Sequence, residues 1–478
     1  MQFFQVPNKA QYSPNPLKNL IIISSFGCMI YLVCTIFLAP NNNNNKHFHT
    51  SVSLQDDELS SQTNLDHIVF GIASNEQSWS KRKEYVKLWW EPHIMRGCVF
   101  LEKMPPFSSN GTSNESLPPI CISEDTSRFR YTHRGGTPSA IRVARVVSKT
   151  VALNHSNVRW FVFGDDDTIF FPENLVKTLS KYDHDLWYYI GTNSESYMQN
   201  KFFSYDMAFG GAGFAISYPL AKVFAKVFDS CIERYPHLYG SDGRVHACLA
   251  ELGVGLTREP GFHQMDFHGN VFGMLAAHPI RPLVSMHHME AIDPIFPNMT
   301  TVKAVEHLYK AASFDPHRIL QQTVCYDRWF SWTVSVSWGY AVQVFDRNVL
   351  LSDVQRVQES YAPWKRSHLG GLYDFDTRKY EFDPCRRQLV YYLDKVFSGS
   401  NGTETIYKKK TSEECKFDMT SPIRLEEIRV VSTKLVLDKQ QLLAPRRHCC
   451  DLLHSTSGNV MEIGIRECKE DELIYMHH

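Results

Sequence analysis

Three consecutive carboxylates, Asp165–Asp167, are the strongest chemical signal in this 478-residue sequence, and a single glycine, Gly164, separates them from the apolar run Trp160–Phe163. Carboxylates packed together repel one another and raise each other's pKa unless a cation neutralises them. A hard divalent ion suits oxygen ligands, and α/β folds bind ligands at the carboxyl ends of parallel strands. The alternative is a solvated acidic turn that caps the next helix, which Thr168 and Pro172 also allow.

Asp165 and Asp167 also have the spacing of a nucleophile and acid pair for phosphoryl transfer. Such a pair usually lies on the first strand of its domain. Here a predicted strand and two predicted helices precede it. The position therefore favours a metal site over the phosphoryl-transfer interpretation.

Asp242 is a carboxylate remote in sequence from the acidic triplet, so it is a candidate general base. Its surroundings, Tyr239-Gly-Ser-Asp242-Gly, equally fit a helix start, in which the aspartate satisfies backbone N–H groups. His287 and His288 are adjacent, and on a strand they would point to opposite faces, so one of them could readily reach an ion. Gly210–Gly213 allows either a close backbone approach to a ligand or tight strand packing.

Strands and helices must alternate to position these groups. We predict strands at 67–73, 159–163 and 210–217, and helices from Ser80, Thr137, Pro172, Tyr218 and Ser241. This order indicates an α/β fold with a largely parallel sheet over 66–300. Beyond Thr301 apolar and polar residues alternate at period two over Trp332–Val344. We therefore predict a second, β-rich domain over 301–478.

The segment Leu20–Ala39 carries no charge and is long enough to span a bilayer as a helix. Lys9 and Lys18 precede it and Asp56–Glu58 follow it, which predicts a cytoplasmic tail at 1–19 and a stem at 40–65 on the far side. A cleaved signal peptide and a buried core helix are the alternatives.

Two further features favour an oxidising, lumenal compartment. Acceptor sequons begin at Asn110, Asn114, Asn154, Asn298 and Asn401. Of the 12 cysteines, all but Cys28 and Cys34 follow the apolar segment, so disulfides are expected. The formal net charge of −1, without a long Lys/Arg run, argues against a nucleic-acid partner.

An ordered series of motifs resembles the Fringe and β-1,3-galactosyltransferase family. The motifs are WFVFGDDDTIFF at Trp160–Phe171, GGAG at Gly210–Gly213, YGSD at Tyr239–Asp242 and MHHME at Met286–Glu290. The stretch Tyr239–Asn270, with LAAHPI and LVSMHHME, is similar to the plant fringe-related subfamily. The resemblance covers Asp66–Asp293, about half of the chain.

That resemblance implies a GT-A-like (Rossmann-like) sheet with helices on both faces and a single-pass type II protein of the Golgi membrane. It implies transfer of a sugar, such as galactose or a related hexose, from a UDP-sugar with Mn²⁺ and inversion. The acceptor would be a glycan or glycoprotein and the linkage β-1,3; a homodimer is left open. The implied roles are as follows: Asp167 and His288 bind the metal, Asp165 and Asp166 lie near the ribose and the metal's waters, Asp242 is the base, and Arg82 and Arg145 lie near the nucleotide.

The sequence after Thr301 departs from the Fringe pattern, because that region has no counterpart there. Its many tryptophans and tyrosines, which could stack on sugar faces, motivate the alternative function of a non-catalytic carbohydrate-binding or scaffold protein. The loop residues His263, Asp266 and His268 could line an acceptor side or be surface decoration.

Overall fold

The structure is a computed structural model, and it describes residues 24–25, 28–30, 62–105, 116–365, 371–399, 402–410, 421–453 and 458–476. The chain divides into two compact units, Met1–Ser61 and Gln62–His478. In the first unit the described residues are helical. No helix in the described part of the chain has the length and apolar character needed to cross a membrane. Most of the predicted anchor Leu20–Ala39, the stem up to residue 61, and Asn110, Asn114 and Asn401 lie outside the described residues.

A seven-stranded mixed sheet forms the first half of the second unit, in the order β3-β2-β1-β4-β7-β6-β8. Its strands are β1 (Ile68–Ala73), β2 (Arg96–Leu101), β3 (Ile120–Ile122), β4 (Trp160–Asp165), β6 (Tyr189–Gly191), β7 (Phe214–Ser217) and β8 (Leu256–Arg258), while β5 (Ile169–Phe170) pairs with β10 (Ser285–Met286) elsewhere. Neighbouring strands are parallel except at β7, which is antiparallel to β4 and β6. The predicted α/β class with a parallel-rich sheet is therefore confirmed.

Helices cover both faces of this sheet. They are α1 (Glu76–Lys87), α2 (Ser139–Ala144), α3 (Val146–Ala152), α4 (Pro172–Leu179), α5 (Tyr197–Phe202), α6 (Tyr218–Ile232), α7 (Ser241–Glu251) and α8 (Phe272–Ala276). Alternate residues of β1 belong to different cores: Phe70 packs with residues of α1 and α4, whereas Val69 packs with residues of α3 and α6. Because successive side chains of a strand point to opposite faces, a strand buried on both sides must be apolar throughout.

Helix α1 begins four residues earlier than its predicted start at Ser80. Asn75 is its N-cap, and the Asn75 side chain accepts a hydrogen bond from the Ser78 backbone N–H at 2.9 Å. The polar first turn hides the helix from a search for apolar periodicity, but an Asn cap stabilises it. This early start brings Ser78 and Arg82 to the same end of the sheet as the acidic triplet.

An eight-stranded sheet forms the second half, in the order β11-β12-β13-β17-β18-β19-β21-β20. Its strands are β11 (Gln322–Tyr326), β12 (Thr333–Ser337), β13 (Ala341–Phe345), β17 (Leu389–Gly399), β18 (Gly402–Lys409), β19 (Glu427–Ser432), β20 (Cys449–Leu453) and β21 (Val460–Arg466). Pairing is antiparallel except between β19 and β21. The bridges Cys325–Cys450 and Cys449–Cys468 confirm a β-rich, disulfide-containing region, and Cys98–Cys121 and Cys231–Cys248 lie in the α/β half.

The two halves share one hydrophobic core and belong to one compact unit. Thr301, the predicted start of the second domain, is the first residue of helix α9 (Thr301–Ala312). The remaining elements are α10 (Leu351–Val354), α11 (Lys439–Leu443), β9 (Phe267–Gly269), β14 (Val357–Gln358), β15 (Tyr361–Pro363), β16 (Thr377–Arg378) and the 3₁₀ turns Leu65–His67, Pro316–Arg318 and Pro422–Arg424. Strand β15 pairs with β9, and this pairing carries the chain after Thr301 back onto the α/β half.

Candidate functional site

The acidic triplet lies where β4 ends, with Asp165 in register with Ala73 of β1. Thr168 fixes the turn: its hydroxyl accepts a hydrogen bond from the Asp165 N–H and donates one to the Gly211 carbonyl, both at 2.8 Å. The triplet opens into a cleft of about 900 Å³, to which Arg82, Arg142, His287 and His288 also contribute. Parallel strand ends thus place three carboxylates at one edge of the sheet, where α/β folds bind ligands.

Asp166 is fully engaged with protein donors. The hydroxyls of Ser74 and Ser78 donate to its Oδ2 at 2.7 and 2.5 Å, and Arg82 donates to its Oδ1 at 3.2 Å. Burial nevertheless keeps the pKa of Asp166 above its usual value. Asp166 therefore ties helix α1 to the end of β4.

Asp165, Asp167 and His287 form a group whose ligand atoms all lie within 4.8 Å of one another. His287 Nε2 is 3.2 Å from Asp167 Oδ1 and 3.9 Å from Asp165 Oδ2. Burial disfavours the charged forms of both Asp167 and His287, but the attraction between the two opposite charges outweighs it. The pKa of Asp167 therefore falls to about 2, and that of His287 rises to about 9.

The donor set of this group fits a divalent cation. The Asp167 side chain is 2 % exposed, and its Oδ1 lies 3.2 Å from His287 Nε2 and 3.3 Å from Arg82 Nη1, without a well-aligned hydrogen bond to any described residue. A buried carboxylate oxygen needs a partner, and a cation would supply one. Two carboxylates and one imidazole match the ligand preferences of first-row divalent ions, Mn²⁺ among them.

The two adjacent histidines do not point to opposite faces as expected. Strand β10 ends at Met286, and His288 takes a left-handed conformation with φ of 55°, so the two rings lie 3.9 Å apart. His287 faces the acidic group and lies over Gly211, where a Cβ atom would be 2.1 Å from its ring. His288 Nδ1 lies 3.3 Å from Asp266 Oδ1. The structure thus places His287 against Asp167, and the ligand role of His288 stays a prediction.

Asp242 lies in the first turn of α7, where the Ser241 hydroxyl donates to its Oδ1 at 2.9 Å. A Cβ atom on Gly210 would be 2.6 Å from that oxygen, so the glycine pair leaves room for Asp242 and for His287. Burial raises the pKa of Asp242. Asp165 is also close enough to feel the charge of Asp242, and burial, together with neighbouring carboxylates, raises the pKa of Asp165 to about 7. The base candidate and the acidic group therefore share one electrostatic environment.

The two predicted arginines have different environments. Arg82 reaches Asp166 at 3.2 Å, Asp167 at 3.3 Å and Glu290 at 2.7 Å, so it lies in the cleft. Arg145 pairs instead with Asp229 at 2.9 Å and Glu124 at 3.2 Å.

Arg142, one helical turn before Arg145, lines the cleft and donates to the Ser74 carbonyl at 2.7 Å. Arg145 does not itself line the cleft, although its partner Glu124 does, and its role near the nucleotide stays a prediction.

No pattern in the sequence points to Trp364 as part of the site. Its indole stacks between His288, at 4.3 Å, and His268, at 4.6 Å. The pairing of β15 with β9 places it there. The part of the chain after Thr301 therefore supports the histidine turn of the cleft.

The predicted loop cluster is largely buried. Asp266 accepts a hydrogen bond from Ser194, and His263 lies 2.9 Å from His278 and 3.2 Å from Glu195. His268 contacts Trp364. Asp266 and His263 therefore belong to an internal polar network next to the cleft, whereas His268 is exposed.

Comparison with solved structures gives, among other similar chains, two of the galactosyltransferase LgtC. One is its complex with donor and acceptor sugar analogs, with a TM-score of 0.30 and 14% identity. The other is an active-site mutant, with a TM-score of 0.28 and 10% identity. Each match covers 50% of this chain and 92% of the LgtC chain.

Comparison with protein families gives a match over residues 199–450, more than half of the chain. The match begins after the acidic triplet, includes Asp242, His287 and Trp364, and extends through most of the β-rich half. The chain belongs to the family described as "Protein of unknown function, DUF604".

Proposed function

We propose that this protein is an inverting, metal-dependent glycosyltransferase that moves a hexose from a UDP-sugar to a glycan or glycoprotein. The observation that carries the proposal is the group Asp165, Asp167 and His287, with Asp242 close enough for its charge to act on Asp165. Inverting transfer is a single in-line displacement. It needs a neutralised leaving group and one base, and these residues are candidates for both roles.

Asp165, Asp167 and His287 would hold the cation, for which Mn²⁺ is the proposed identity. When bound, such an ion supplies positive charge that stabilises a departing nucleoside diphosphate. Arg82 and Arg142 line the same cleft and add guanidinium groups suited to phosphate oxygens. Asp166 holds α1 in place through Ser74 and Ser78.

Asp242 is the proposed general base. Its raised pKa suits a group that must accept a proton from an acceptor hydroxyl near neutral pH. The Ser241 hydroxyl orients its carboxylate. The hexose, the β-1,3 linkage and the Golgi lumen complete the proposal on the strength of the Fringe resemblance, and the N-terminal anchor on that of the uncharged segment Leu20–Ala39.

Donor hydrolysis by the full chain in detergent tests the proposal. UDP release is measured from a panel of UDP-sugars with Mn²⁺, with chelator, and with Asp242→Asn. We expect release from one sugar, lost with chelator and reduced about 10²–10³-fold in Asp242→Asn. Metal-dependent UDP binding without release, even with glycan acceptors added, would favour the non-catalytic carbohydrate-binding alternative. No binding of UDP or Mn²⁺ would end the glycosyltransferase proposal.

A further inference from the structure

The hairpin between β11 and β12 exposes a large aromatic side chain. Trp329, at its tip, is 81% exposed. Burying a tryptophan is among the largest apolar gains available to a protein, so leaving one in water forgoes a large stabilisation. A single exposed apolar residue needs no explanation, whereas several aromatic side chains grouped around one cavity form a candidate binding site.

The hairpin holds Trp329 in place. Asp327 Oδ2 accepts hydrogen bonds from the backbone N–H groups of Trp329, at 2.9 Å, and of Phe330. Phe330 stacks on the buried Trp332 with ring centroids 4.6 Å apart. The bridge Cys325–Cys450 ties the base of the hairpin to β20. A fixed backbone presents the ring without the entropy cost of ordering a loop on binding.

A cavity of about 600 Å³, here called the aromatic cavity, lies beside this tip. Trp329, Phe330 and Trp332 contribute rings to its lining, and Arg424 and Ser421 contribute polar groups. None of its lining residues lines the acidic cleft. It is therefore a separate site in the β-rich half.

The charges around the aromatic cavity indicate a neutral ligand. Its charged lining residues are two aspartates and two arginines, Asp327, Arg328, Arg424 and Asp451. Next to the lining, Arg466 Nε lies 2.6 Å from Asp451 Oδ2 and Arg466 Nη1 lies 2.7 Å from Glu472 Oε2, so Arg466 and Glu472 add one charge of each sign. Asp327 uses an oxygen to hold the hairpin turn. The charges of these described residues therefore balance and leave no excess of either sign for a phosphate or an acidic polymer.

We propose that the aromatic cavity binds a neutral oligosaccharide. A sugar ring offers an apolar C–H face, which packs on an indole, and an equatorial rim of hydroxyls, which exchange hydrogen bonds with guanidinium and hydroxyl groups. The lining of the aromatic cavity supplies both kinds of group. The site retains a glycan and carries no chemistry of its own.

Oligosaccharide binding by the full chain in detergent tests the proposal. The probes are neutral hexasaccharides of glucose, xylose, galactose and mannose, first on an array and then in solution by calorimetry. We expect at least one series to bind, and Trp329→Ala to weaken it by about tenfold. Trp329→Tyr keeps an aromatic face and is expected to retain most of the affinity.

Two control variants make the result specific. Phe382 is also 81% exposed but does not line the cavity, so Phe382→Ala is expected to bind like the wild type. Asp167→Ala is expected to keep hexasaccharide binding whether or not the proposed transferase function is correct. The proposal is overturned if no hexasaccharide binds, or if Trp329→Ala binds as the wild type does. It is also overturned if Trp329→Ala changes the sedimentation coefficient instead, since the ring would then contact a second copy of the chain.

Discussion

The acidic cleft of the α/β half and the aromatic cavity of the β-rich half are built on opposite principles. In the cleft, charged groups are taken out of water and held against one another, as Asp167 and His287 are. In the aromatic cavity, an apolar ring, Trp329, is held in water by a fixed turn. Each arrangement leaves an interaction unmet in the described chain, and each unmet interaction indicates a different kind of partner.

The cleft and the aromatic cavity would therefore act on their ligands in different ways. Buried charges act strongly because little water screens them, so the cleft suits a step in which charge develops. An exposed ring offers area and shape but no charge, so the aromatic cavity suits retention of a neutral chain. Variants at the two sites should therefore separate turnover from glycan binding.

Asp167→Ala should have the largest effect. It removes a buried carboxylate from the metal-binding group, and we expect UDP release to fall roughly 10²–10³-fold while hexasaccharide binding is unchanged. Donor hydrolysis and calorimetry with Mn²⁺ measure the two sides. Asp183→Ala is the matched control, because Asp183, His184 and Asp185 form a similar acidic group on the surface, outside the cleft. Equal losses in both variants would contradict a specific role for the cleft.

A comparison of His287→Ala with His288→Ala decides which histidine binds the ion. From the contacts to Asp165 and Asp167, we expect His287→Ala to lower Mn²⁺ affinity about 100-fold. His288→Ala should cost about tenfold, because this ring packs on Trp364 and supports its neighbour. Manganese binding followed by electron paramagnetic resonance gives both values. The reverse order would restore the ligand role that the Fringe resemblance implies for His288.

These two histidines show where prediction from sequence ends. Local patterns were enough for three of the seven strands, β1, β4 and β7, and for an acidic triplet at the end of β4, whereas β2, β3, β6 and β8 were not predicted. The direction of the His288 ring depended on one backbone angle, its positive φ, which no residue type announces. Trp364 reaches His288 through a pairing of β15 with β9 that is distant in sequence. Contacts of this kind follow from tertiary packing and leave no local pattern.

A substitution of Arg145 tests whether a charged residue that does not line the cleft contributes to stability and not to UDP binding. Its side chain is 6% exposed and bridges Asp229 and Glu124. Asp229 is 39% exposed and keeps Arg128 at 2.6 Å, so removing Arg145 strands no fully buried charge. We expect Arg145→Met to lower the free energy of unfolding by about 2 kcal/mol, with UDP affinity unchanged. Urea unfolding and calorimetry measure the pair of values. A loss of UDP affinity at unchanged stability would instead support the predicted nucleotide-side role.

Glu195 lies where the two halves meet, because its backbone carbonyl accepts a hydrogen bond from the Asp374 N–H at 3.0 Å. The pH dependence of stability tests this contact region. Burial raises the pKa of its carboxyl to about 8, and burial lowers the pKa of the neighbouring His263 to about 4. In the unfolded chain both side chains have lost their protons above a pH of about 6.5, the ordinary pKa of histidine. Between pH 6.5 and 8 the folded chain therefore holds one more proton than the unfolded chain, on Glu195.

Stability should therefore fall as pH rises through the window from 6.5 to 8, since the folded state binds more protons than the unfolded state there. We expect the free energy of unfolding to fall by roughly 1 kcal/mol over this window. That is about half of the change for one whole proton, because Glu195 and His263 titrate as a coupled pair. Urea unfolding of the full chain at the two pH values measures this loss. Glu195→Gln cannot ionise and should flatten the profile. A profile that keeps its slope in Glu195→Gln would mean that another group in this contact region carries the proton.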